Sequence, residues 1–275
     1  MNKIFKLFSI LSLVTIVFFA CAPDEYQLKA PLDKNALKFT VTRVATNPNM
    51  FILKSLTPNA QPFWVTPVGT SVKMTDTIDI PFPGNDTIKY SVESPGGIVS
   101  ETYLITPSIS TIDAAYVSDP KWTYLTGGLG KSKTWVLDLD ANGVSKYFTS
   151  PFYYGGTGWD WDPAFADIGW AGVSKGDYGT MTFDLIGNAN FKSDNKMFPD
   201  LSGTGKFMLY PGTNQIVTYG AQFIHDKAAG GNVLNWNAKM TIQALDANHM
   251  QVQAVTGAGA WTIYNYISKA YYDSH

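Results

Sequence analysis

Between Met240 and Val255, two six-residue stretches alternate apolar and polar side chains on either side of Asp246-Ala247-Asn248-His249. Period two sends successive side chains to opposite faces of an extended chain, so this segment predicts a β-hairpin with a four-residue loop. Glutamine and threonine fill the alternate positions, which gives the sheet one wet face and favours antiparallel strands over a buried parallel sheet. The same character recurs at Trp135–Leu139, Thr180–Leu185, Phe207–Tyr210, Ile216–Tyr219, Ala221–Ile224 and Trp261–Ile267. Residues 121–275 therefore predict an antiparallel β-sandwich of roughly eight or nine strands with almost no helix.

Upstream, Leu37–Val44, Phe51–Leu53 after an Asn-Pro-Asn turn, Ile88–Val92 and Thr102–Ile105 predict a smaller antiparallel sandwich over residues 36–108. Ser108–Pro120 differs in composition and reads as a connector, with room for one turn of helix before a proline stop, so 109–120 is the expected linker. The chain is thus expected to form two all-β domains.

The first 20 residues have a different character. Lys3 and Lys6 precede an uncharged, mostly apolar run of 14 residues from Leu7 to Ala20, too short to span a membrane and suited to a signal peptide. Cys21 follows, the only cysteine in the chain, so it has no internal disulfide partner. Residues 21–35, with Pro23 and Pro31, read as a tether. Val17-Phe18-Phe19-Ala20-Cys21 resembles the lipobox of bacterial lipoproteins, whose cysteine becomes the lipidated first residue. Asp24-Glu25 resembles the acidic export signal that sends lipoproteins to the outer face in glycan-foraging Gram-negative bacteria. The resemblance implies lipidation at Cys21 and an outer-membrane protein facing the exterior; an ordinary signal peptide cleaved near a cysteine is the plainer alternative.

The whole chain carries a net charge of −2, which becomes −4 without Lys3 and Lys6, and Arg43 is the only arginine. Such a surface argues against nucleic acid as a partner, where affinity comes from clustered lysine and arginine on phosphates.

Two further resemblances bear on fold. Phe63-Trp64-Val65 with Gly69, Thr87-Ile88-Lys89-Tyr90-Ser91-Val92, Gly96-Gly97 and a last strand ending at Ile105 resemble a PKD-type immunoglobulin-like domain, which implies a spacer with Trp64 in its core. Trp122-Thr123-Tyr124-Leu125-Thr126-Gly127-Gly128, Lys133-Thr134-Trp135-Val136-Leu137-Asp138, a Gly-Trp-Asp-Trp loop and the hairpin from Met240 resemble the C-terminal β-sandwich of lipoproteins encoded with glycan-uptake systems. That family is related in shape to concanavalin-like and laminarinase-like jelly rolls, and the resemblance implies carbohydrate as the partner.

Residues 147–172 are the least strand-like and most aromatic segment, with nine aromatic residues, five glycines, Asp160, Asp162 and Asp167. No lysine or arginine between Lys146 and Lys175 neutralises these carboxylates. Glycine permits close backbone approach to a ligand, and Trp159 and Trp161 share a face if the piece is extended. Tyr153, Tyr154, Trp159, Asp160, Trp161, Asp162 and Trp170 are the candidate ligand-binding residues: pyranose C–H groups pack on aromatic faces while carboxylates accept from hydroxyls. The alternative is that the rings fold back and plug one end of the sandwich. Tyrosine and tryptophan are also enriched where proteins meet, so an assembly lipoprotein contacting an outer-membrane partner is the second functional class.

Catalysis is not expected. Jelly-roll glycosidases of the laminarinase type use two glutamates on one strand, and the glutamates here are Glu25, Glu93 and Glu101, none of them in the second half. Asp160 and Asp162 are the remaining carboxylate pair for a glycosidase reading. His225-Asp226 precedes no serine elbow and reads as a solvated loop. Asp138, Asp140 and Asn142 resemble the start of a calcium loop, but its twelfth position is Thr149 rather than a carboxylate, and a turn closed by Asn142-Gly143 explains the same residues. No cofactor is expected beyond this weak calcium candidate.

Overall fold

The structure, a computed structural model, describes residues 29, 30, 32–106 and 108–275. The signal segment, Cys21 and the tether as far as Leu28 lie outside the described residues. The fold is all-β with several antiparallel sheets. Among the described residues no helix is long and apolar enough to cross a membrane. The chain divides into two compact units.

The first unit comprises Ile52–Thr77, Thr87–Leu104 and the described residues up to Thr42. The strands of this part of the chain are β1 (Phe39–Arg43), β2 (Met50–Ser55), β3 (Gln61–Thr66), β4 (Gly69–Ser71), β5 (Thr75–Asp79), β6 (Thr87–Ser94) and β7 (Gly97–Leu104). They form a β1-β2-β5 sheet and a β4-β3-β6-β7 sheet. As its sequence position predicts, Trp64 is a core ring: it is fully buried, 4.5 Å from Tyr90 and 5.9 Å from Phe39 between ring centroids. Its Nε1–H donates to the Lys73 carbonyl at 3.1 Å, so the buried indole leaves no donor unpaired. The outer face of β3 and β7 is less polar than a solvated face needs to be, with Phe63, Val65 and Ile98 exposed.

The second unit comprises Arg43–Phe51, Ile78–Asp86 and Ile105–His275. Residues 109–119, expected to be a free connector, are packed within it. Ile109 bridges Gly84, and buried Asn49 donates to the carbonyls of Ile80 and Thr111. Pro120 opens a helix rather than stopping one. In α1 (Pro120–Thr126) the proline sits in the first turn, where its missing N–H costs nothing, and the Asp119 side chain accepts from the Lys121 N–H at 2.9 Å.

The remaining elements are β8 (Ser132–Leu137), β9 (Phe152–Gly156), β10 (Trp159–Trp161), β11 (Gly179–Asp184), β12 (Asn190–Asn195), β13 (Gly203–Tyr210), β14 (Gln215–Tyr219), β15 (Met240–Leu245), β16 (His249–Gly257), β17 (Ala260–Ser268) and α2 (Lys269–Ser274). The jelly-roll sandwich expected for residues 121–275 is not what forms. From β11 to β17 each strand pairs with the next in the chain, and β8 pairs with both β11 and β17, which closes an eight-stranded up-and-down barrel. Alternating strands satisfy either architecture; the barrel is decided by the pairing of Tyr266 with Leu137 and Ser268 with Trp135. Closure removes the exposed edges that an open sheet leaves unpaired.

Eight strands enclose a lumen about wide enough for side chains to fill, and aromatic rings fill this one. Phe183 lies 4.6 Å from Phe191, 5.1 Å from Phe207 and 5.6 Å from Phe223. Helix α1 packs against β8, β11 and β15 and covers one end with Trp122 and Leu125. Met250, Val252 and Ala254 point inward as their alternation predicts. The run from Met240 departs from it: a bulge at Gln243 exposes Ala244 and turns Leu245 toward the core. The loop of that hairpin is also shorter, because His249 is already in β16. Residues 221–224 form no strand although Ala221, Phe223 and Ile224 are buried.

Asp79 gives this unit a pH-dependent stability. Burial, and then the charge of Asp113, push its carboxyl up to about 6. A carboxyl raised by folding stabilises the fold while protonated; the contribution is full below the unfolded value near about 3.9 and is lost as pH rises through about 6. Asp79→Asn is therefore expected to exceed the wild type in stability at about pH 8 by on the order of 1 kcal/mol once solvent screening is allowed for, read as a higher melting temperature. The gap should close near about pH 4. Coincident melts at the higher pH would count against this assignment.

Candidate ligand-binding site

The end of the barrel opposite α1 is where the segments after β8, β10 and β14 emerge, and the aromatic stretch is built there. β17 has more length than β8 can cover, so β9 pairs with its first half, Trp261 opposite Gly155, Thr262 opposite Tyr154 and Ile263 opposite Tyr153. β10 then pairs back on β9, Trp161 opposite Tyr154 and Trp159 opposite Gly156. Register assigns the faces. Tyr154, Gly156, Trp159, Trp161 and Thr262 share the lumen side, whereas Tyr153, Gly155, Asp160, Trp261 and Ile263 share the outer side.

Gly155 and Gly156 explain how two indoles fit so close to this ribbon. A Cβ on Gly155 would lie 2.5 Å from Nε1 of Trp261, and one on Gly156 would lie 2.3 Å from Nε1 of Trp159. Each ring therefore lies against bare backbone, on opposite faces of adjacent residues. This is the close approach that only glycine allows.

The predicted tryptophans are presented rather than plugged, whereas Tyr154 is buried. Trp159 is 53% exposed, Trp161 41% and Trp170 67%. Trp170 reaches the ribbon from the 3-10 segment Phe165–Ala171, whose Ile168 is buried and anchors it. Trp161 and Trp170 are stacked, with centroids 6.1 Å apart at 23°, and both approach Tyr154 at 6.1 Å and 5.3 Å. The structure thus brings Tyr154, Trp161 and Trp170 into one ladder. Tyr153 and Asp160 line the other, outer-wall cleft, and Trp159, on the lumen side by register, borders that cleft at the tip of the ribbon. Asp162 is exposed just past the end of the ribbon and lines neither cleft.

Two clefts flank the ribbon. The one at the barrel mouth, about 270 Å³, is lined by Tyr154, Trp170, Ala171, Ala229, Asn232 and Thr262. The other, about 450 Å³ on the outer wall, is lined by Tyr153, Trp159, Asp160, Gln243, Trp261 and Ile263. The hydrogen bond to Asp160, then desolvation and the charges of Asp160 and Asp162, raise the Tyr153 phenol above its ordinary range, which keeps it a neutral donor. Each cleft therefore pairs aromatic faces with a few polar groups.

Trp261 and Gln243 were not among the predicted residues. Adjacent Gly155-Gly156 hinted that a ring lies against this strand, but not which one. Gln243 reaches the cleft through the bulge, which breaks the alternation that made its strand readable.

The reading of His225-Asp226 as a solvated loop is corrected: both residues are buried. His225 stacks on Trp236 at 4.4 Å and its ring nitrogens meet the Asp226 carbonyl and the Gln222 Oε1. Burial lowers the His225 pKa and raises that of Asp226, whose Oδ1 accepts from the Gly230 N–H at 3.1 Å. The glycines and alanines after this pair concealed it: Ala228 and Gly231 are exposed as in a surface loop, and only Gly230 is buried with the pair.

The Asp138–Gly143 stretch uses its carboxylates on backbone. Asp138 is buried and accepts from the N–H groups of Lys146, Tyr147 and Phe148, while Asp140 accepts from Asn142 and Val144. Gly143 has φ 88°, as a turn requires. Among the described residues no group of three or more His, Cys, Asp and Glu side chains is placed to hold a metal ion.

Comparison with known proteins adds no identity. No protein-family model matches the chain, and no curated protein matches it.

Proposed function

We propose that this chain is a non-catalytic cell-surface lipoprotein that binds polysaccharide or oligosaccharide through the aromatic ribbon of its barrel. The observation that carries the reading is the exposure of Trp159, Trp161 and Trp170 beside polar clefts. A buried plug would hide these rings; a sugar platform needs them open. The mouth of a β-barrel is also a common place for a ligand. In this reading the first unit, a PKD-type immunoglobulin-like sandwich, is a spacer between the membrane and the binding unit.

Soluble protein beginning at Asp24 tests the reading by retention on a broad panel of polysaccharide gels. Stacking one sugar on an indole contributes on the order of 1–3 kcal/mol by analogy with base–aromatic stacking. Trp159→Ala and Trp161→Ala should each weaken binding roughly ten- to hundredfold with nearly unchanged melting temperature. If the wild type is retained by nothing, or both variants bind as it does, the assembly reading takes its place. A protein partner would then find the exposed apolar face around Phe63, Val65, Val72 and Ile98, a groove of about 410 Å³.

We place the lipid on Cys21, with the mature protein anchored in the outer membrane and facing outward. The motif before Cys21 and the absence of any second cysteine support this. Cys21→Ser is expected to abolish lipidation and move the protein out of the membrane fraction. Mass spectrometry locating the mature N-terminus elsewhere would reject the anchor.

A further inference from the structure

We infer that the ribbon selects glycans without carboxylate or sulfate groups, an assignment that rests on the carbohydrate reading above and names its ligand class. The inference comes from what lines the two clefts, not from the chain's overall charge. The outer-wall cleft contains one charged residue, Asp160, and the mouth cleft contains none. Asp162 and Asp167 are exposed on the same segment.

No lysine or arginine lines either cleft. Lys227, just after buried Asp226, pairs with Asp200 at 2.8 Å. Neither cleft therefore offers the guanidinium or ammonium partner that a carboxylate or sulfate needs when it leaves water. What the clefts do offer is indole faces, the Tyr153 phenol, and the amides of Gln243 and Asn232. These groups suit C–H faces and hydroxyls. Asp160 accepts from a hydroxyl and repels an acid.

The size of the effect follows from Coulomb's law. An anionic group roughly 7 Å from one carboxylate in water loses about threefold in affinity, and about tenfold when it meets two. Salt reduces this penalty, since screening acts over about 10 Å at 0.1 M. A cationic amino sugar gains by the same factors.

The test is affinity electrophoresis of the wild type and of Trp161→Ala in three sets of gels: neutral glucans, mannans and xylans; chitosan fragments; and alginate, pectate and chondroitin sulfate. The expected result is Trp161-dependent retardation in at least one neutral or amino-glycan gel and none in the acidic gels at low salt. Asp160→Asn/Asp162→Asn should lose any preference for chitosan fragments over neutral glycans. Trp161-dependent retardation in an acidic gel overturns the charge assignment and leaves carbohydrate binding standing. No retardation in any gel, or retardation that ignores Trp161, overturns the carbohydrate reading at this ribbon and the assignment with it.

Discussion

Trp122→Ala should destabilise the barrel unit by about 3–5 kcal/mol, the usual cost of emptying an aromatic site in a packed core. Trp122 is fully buried in α1, 5.7 Å from Phe207, 5.9 Å from Phe82 and 6.0 Å from Tyr116 between ring centroids. Removing it leaves three rings facing a void at the closed end of the barrel. For a unit of this size the melting temperature should fall by roughly 6–20 °C. Trp122→Phe supplies the control. Nε1 of Trp122 has no hydrogen-bond partner, so phenylalanine keeps most of the packing and also removes an unsatisfied buried donor. Thermal melts in which the two variants lose the same stability would contradict this account of α1 as a packed end cap.

The second large effect is on binding. Trp161→Ala/Trp170→Ala removes two rings that stack on each other and both contact Tyr154. Groups in direct contact do not contribute independently. The double variant should therefore lose at least a hundredfold in glycan affinity, yet less than the product of the two single losses. Neither ring is part of the core, Trp170 being 67% and Trp161 41% exposed, so the melting temperature should move by only about 2 °C. Titration of the two singles and the double against one oligosaccharide measures the coupling. Strict additivity would mean that the rings serve separate sugars, and a large drop in melting temperature would return them to the role of a plug.

Much of this molecule was legible in its residue pattern. Met181, Phe183 and Leu185 are buried as alternation predicts, and Trp64 is a core ring. The aromatic segment also stood out, but as a loop: the strands β9 and β10 that make it a ribbon were not expected, and a plug was left open. Closure of the barrel was not legible, since period two reports which face is buried and says nothing about which distant strand lies alongside. Leu137 and Tyr266 carry no mark of their pairing. Pro120 was misread for a local reason: a proline stops a helix that precedes it and starts one that follows, and only Asp119 as a cap distinguishes the cases. The burial of Asp226 was concealed because its partners are backbone N–H groups, which every residue type supplies.

The division of β17 between two partners has a consequence for how the molecule assembles. Leu137 meets Tyr266 across 129 residues of chain, so ring closure is a contact of long sequence separation, the kind that forms slowly and after local hairpins. β9 has no barrel neighbour other than β17, and β10 hangs on β9 alone. The indoles at the mouth therefore have no scaffold until β17 docks. Incompletely folded chains can contain every β-hairpin from β11 to β16 and still present no ordered ribbon. Ligand binding thus reports on completion of the barrel, even though none of the residues that close the ring touches either cleft.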